Sequence, residues 1–67
     1  MTHYAWTWFK GSLEDAQEIA DEWNEITKSD EFRVANHVGG SYLIEGNVES
    51  WVIDGTSIDM EFVLEEL

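Results

Sequence analysis

The sequence predicts a single two-layer α+β domain over residues 1–67, one amphipathic helix packed on an antiparallel sheet of four to five strands in the order β-α-β-β-β(-β). Three features predict it. Residues 3–9 alternate with the two-residue period of a strand, residues 13–27 carry one apolar stripe at helical spacing, and the rest divides into short alternating runs separated by glycine-containing turns.

In the first strand Tyr4, Trp6 and Trp8 fall on one side and His3, Ala5, Thr7 and Phe9 on the other. The aromatic side is expected to fill the helix–sheet core; the alternative is an interface, because four tryptophans are many for one small core. Gly11 ends the strand. Ser12, with Asp15 three residues later, resembles a capping box and places the helix start there. From Leu13 to Thr27, at ~100° per residue, Leu13, Ala16, Ile19, Ala20, Trp23 and Ile26 share an arc of about 140°. Ser29-Asp30 forms a turn.

Glu31 to Val38 reads as the second strand, with Phe32, Val34 and Val38 on one face, and Gly39-Gly40 as its hairpin turn. Tyr42-Leu43-Ile44 is a third strand, Gly46-Asn47 a turn and Val48–Ile53 a fourth strand, with a single helical turn capped by Asn47 as the rival for 48–53. Asp54-Gly55 signals a type I′ turn, after which Ile58, Met60, Phe62 and Leu64 line one face of a last strand.

The charge restricts function. Fifteen Asp and Glu stand against three Lys and Arg, a formal net charge of -12. Direct nucleic-acid binding rests on cations that neutralise phosphates, and only Lys10, Lys28 and Arg33 are present, so neither nucleic acid nor an anionic membrane is an expected partner. The start of the chain lacks the basic and apolar regions of a signal peptide, and no apolar run approaches a membrane span of ~18–20 residues, so a cytoplasmic protein is expected.

Catalysis is not expected. With no cysteine there is no thiol chemistry, and two histidines, His3 and His37, cannot assemble a zinc site of three. No serine sits in a nucleophile elbow, and Gly39-Gly40 is not followed by the helix of a phosphate loop. The helical acids should be solvated, not pushed to the divergent pKa values that acid–base work requires, and Asp54-Gly55-Thr56-Ser57 lacks the ligand spacing of a calcium loop. No cofactor, metal or enzymatic activity is therefore expected.

The informative feature is the outer face of the helix: Glu14, Asp15, Glu18, Asp21, Glu22 and Glu25 lie opposite the apolar stripe with no lysine among them. Six like-charged pairs at i,i+3 or i,i+4 cost roughly 0.2–0.5 kcal/mol each before screening. The helix dipole compensates only the first-turn acids. These six residues are the candidate partner-binding site, a row of carboxylates over about 16 Å that can occupy arginines and lysines otherwise holding phosphate. Asp30, Glu31, Glu45, Glu49, Asp59, Glu61, Glu65 and Glu66 are expected to extend that field over the sheet edges and C-terminus.

In charge, size and lack of catalytic groups the chain resembles the broad class of phage-encoded nucleic-acid mimics that block restriction or CRISPR effectors. The resemblance implies a partner with a basic, nucleic-acid-binding surface in a host-cell cytoplasm. A regulatory or antitoxin-like binding module and a housekeeping or halophilic acidic domain are the alternatives, and a homodimer is one way to cover surplus aromatic surface.

Overall fold

The computed structural model describes residues 2–49 and 62–66. They form β1 (Thr2–Lys10), α1 (Leu13–Thr27), β2 (Arg33–Val38), β3 (Ser41–Glu49) and β4 (Val63–Glu66). One helix lies against a four-stranded antiparallel sheet in the order β2-β3-β1-β4. Because β1 and β2 both pair antiparallel with the intervening β3, β1-α1-β2 is a split β-α-β unit.

Both ends of α1 are capped. The Ser12 hydroxyl accepts the Asp15 amide at 3.1 Å, as the sequence predicts. At the other end Lys28 takes a left-handed conformation, φ 55°, and its amide and that of Ser29 bond back to the Glu25 and Asn24 carbonyls. Asn24 then staples the helix to the sheet: its side-chain amide donates to the Phe32 carbonyl at 3.0 Å, and its side-chain oxygen accepts the Phe32 amide at 2.7 Å. That reciprocal pair sets where β2 begins.

The core joins Ala16, Ala20 and Trp23 of the helix to Phe32 and to Ala5, Ile44 and Val48 of the sheet, with Phe9, Ile19, Ile26, Val34, Tyr42 and Phe62 packed around them. Trp23, Phe32 and Phe62 form an aromatic triad with centroids 4.7–5.5 Å apart, two of its three contacts edge-to-face. Leu13, counted in the helical stripe from sequence, is 54% exposed, because the first helical residue lies beyond the last core contact.

The expected turn at Gly46-Asn47 does not form; β3 runs unbroken from Ser41 to Glu49. Gly46 serves close approach instead. A Cβ there would stand 2.7 Å from Cγ of Phe32 and 2.9 Å from its Cα, so the missing side chain is what lets β2's leading edge lie on the sheet. Its cross-strand partner is the fully buried Ala5. Gly39 and Gly40, both at positive φ, make the two-residue turn expected of them.

Strand period alone places Val38 on one face with Phe32 and Val34. A bulge at Ala35, where the register with β3 slips by one residue, moves Val38 to the opposite face and leaves it 58% exposed. The expected strand over 48–53 is realised at 48 and 49 as the end of β3; its remainder, Trp51, the Asp54-Gly55 turn, Ile58 and Met60 lie outside the described residues.

β1 is turned over relative to the expectation that its aromatic side fills the core. Its buried side is that of Ala5 and Phe9, and Tyr4, Trp6 and Trp8 point to the face that carries no helix. A single helix shields one face only. On that face Gly46 leaves room for Phe32, and Ala5 in the sheet and Ala16 and Ala20 in α1 are fully buried.

Candidate functional site

All six helical acids are exposed on the outer face of α1. Glu14, Asp15, Glu18 and Asp21, with Gln17, border a shallow depression along the first three turns, and Glu22 and Glu25 continue the row toward the C-terminus. Asp21 accepts a long 3.4 Å hydrogen bond from Gln17 Nε2. None of the six has an ion-pair partner among the described residues, and no basic residue occupies the last turn. The helix therefore presents an uncompensated row of carboxylates.

The remaining acids do not form one field. Glu45 lies across β1 from Trp6, on the face opposite α1, where it accepts the Tyr4 hydroxyl at 2.6 Å and Arg33 Nη2 at 2.8 Å. Glu65, on the same face, accepts the Trp6 indole N–H at 3.1 Å. Thr2 donates to Glu49 at 3.4 Å. Asp30 and Glu31 are exposed beyond the helix C-terminus, Glu66 is exposed on β4, and Asp59 and Glu61 lie outside the described residues. The expected extension over the sheet is corrected accordingly: Glu45 and Glu65 face away from the helical row because strand parity puts them there.

Sequence reasoning missed the cluster of Tyr4, Glu45 and Arg33. Tyr4's hydrogen bond to Glu45, aided by burial and by the charges of Glu45 and Glu65, pushes the phenol up to about 12. The same bond, with that from Arg33, holds the Glu45 carboxyl below its ordinary value against the opposing effect of burial. The alternation in β1 signals an aromatic stripe, but Glu45 lies 41 residues from Tyr4 and 12 from Arg33 in sequence, and only the β1-β3-β2 register joins the three.

Among the described residues no group of three or more His, Asp and Glu side chains converges as a metal site, and no helix is long and apolar enough to cross a membrane. Comparison with protein-family models, curated proteins and solved structures returns no match.

Proposed function

We propose that the protein is a small acidic inhibitor whose helix α1 occupies the basic, nucleic-acid-binding surface of another protein, in the manner of phage-encoded anti-CRISPR or anti-restriction mimics. The exposed, uncompensated row from Glu14 to Glu25 carries this reading. Six carboxylates over about 16 Å of helix give one charge per ~3 Å, close to the ~3.4 Å per phosphate along one DNA strand. Arginines arranged to hold phosphates meet a similar charge density, with carboxylate oxygens that accept bidentate bonds. Encounter is steered by the net charge, and nucleic acid is excluded by occupancy.

Reversing Glu18, Glu22 and Glu25 to Lys tests it. Removing like-charge pairs should leave the fold as stable or more so by circular dichroism, while capture of a basic partner from host lysate is lost. Capture by the wild-type chain should weaken steeply with salt and be competed by added DNA. Capture that survives both treatments and is lost in Trp8→Ala would replace this reading with an apolar-interface module.

A further inference from the structure

The sheet face opposite α1 carries a second surface. Across its four strands run Val38 of β2, Leu43 of β3, Trp8, Trp6 and Tyr4 of β1, and Val63 of β4, with Trp8 45%, Val38 58% and Val63 49% exposed. Among the described residues no element covers it. Glu45 and Glu49 of β3 and Lys10 at the end of β1 share this face by strand parity, and its two edge strands carry opposite charges. Arg33 on β2 is 72% exposed and uses Nη2 for Glu45, which leaves other guanidinium N–H groups free; Glu65 on β4 is fixed by the Trp6 indole.

We propose that this face binds a second copy of the same chain, sheet against sheet, about a twofold axis parallel to the strands. That axis lays the β2-β3-β1-β4 order of one copy over β4-β1-β3-β2 of the other. The Arg33 edge then meets the partner copy's Glu65 edge on both sides, and Leu43 of β3 comes over Trp8 of β1. An axis perpendicular to the strands sets like edges together and is disfavoured. The acidic helices end on opposite outer faces, separated by two sheets ~10 Å apart and the layers beyond, more than a Debye length of about 8–10 Å. A chain of net charge -12 can therefore pair through this face and not through α1.

The strands contain 28 residues, each covering about 16 Å² at a ~3.4 Å rise and ~4.8 Å strand spacing, or roughly 450 Å² in plane per copy. Two copies give about 900 Å² in plane, below the ~1,000–1,200 Å² in total that marks a stable specific interface and in the range of transient ones. The dimer is therefore weak and concentration-dependent.

Sedimentation equilibrium of the full chain from micromolar to millimolar concentration tests this. The mass should rise from 7.7 kDa toward twice that value, and further in high salt, which screens the net repulsion. Trp8→Glu should abolish the rise; Arg33→Glu and Glu65→Arg should each weaken it several-fold, and the two together should restore it. In a dilution series of the wild-type chain, the amide shifts that move should lie on Tyr4–Trp8, Leu43 and Val63, a readout that needs no variant to fold. A monomer at millimolar concentration in low and high salt, shifts confined to α1 or the β2 edge, or a double reversal that fails to recover association would overturn the proposal. Partner capture through α1 is promoted by low salt and this dimer by high salt, so either reading can fail without the other.

Discussion

The two faces of the sheet draw on the same strands and come out opposite. On the helix side β1 contributes Ala5, fully buried; on the other side it contributes Trp8, nearly half exposed. The larger apolar residue is the one in water. Burial here follows which face α1 and Phe32 cover, and the small Ala5 and Gly46 leave room there that a tryptophan would fill.

Truncating one tryptophan on each face separates the two faces most sharply. Trp23→Ala removes the centre of the aromatic triad and should cost about 3–5 kcal/mol, comparable to everything a core of this size supplies, so the chain should be largely unfolded by urea titration. Trp8→Ala should lie within roughly 0.5–1 kcal/mol of wild type. Equal losses would refute the assignment of faces.

Gly46→Ala comes next. The added methyl meets Phe32 at sub-van-der-Waals distance and should cost about 1–3 kcal/mol of thermal stability, whereas Asn47→Ala, one residue along on the exposed face, should be nearly neutral. A smaller effect of opposite sign is expected at the helix end. Lys28→Gly relieves a left-handed lysine and should raise stability by roughly 0.5–1 kcal/mol in the same denaturation assay.

The mildest test titrates the open face. Glu45 is depressed in the folded state, so its contribution is present above the unfolded carboxylate value and is lost as pH falls through the folded one. Tyr4 is raised, so its contribution is present below pH 10.0 and is lost as pH climbs toward about 12. In a Tyr42→Phe chain the phenolate absorbance should report Tyr4 titrating near that upper value. Tyr4→Phe should move the Glu45 carboxyl back toward its ordinary range by NMR, since the phenol is the largest cause of its depression.

Much of the fold is local and was legible. Ser12 and Asp15 mark the helix start, the stripe through Ala16, Ala20 and Trp23 marks its inner face, and Gly39-Gly40 marks the hairpin. The six acids were placed on the exposed side for the same reason, a 3.6-residue period that needs no knowledge of neighbours. Gly46 and Val38 are not legible from pattern, because glycine signals both a turn and a close approach, and because a bulge reverses strand parity without a residue type to announce it.

Contacts within a few residues set the helix, its N-cap, the Gly39-Gly40 hairpin and the carboxylate row, so these are legible in the residues themselves. Only the tertiary structure decided which side of β1 is buried, that Tyr4 and Arg33 share Glu45, and that Arg33 and Glu65 stand at opposite edges of an aromatic face. Those are products of strand order and register, and of a single helix covering only one face of the sheet.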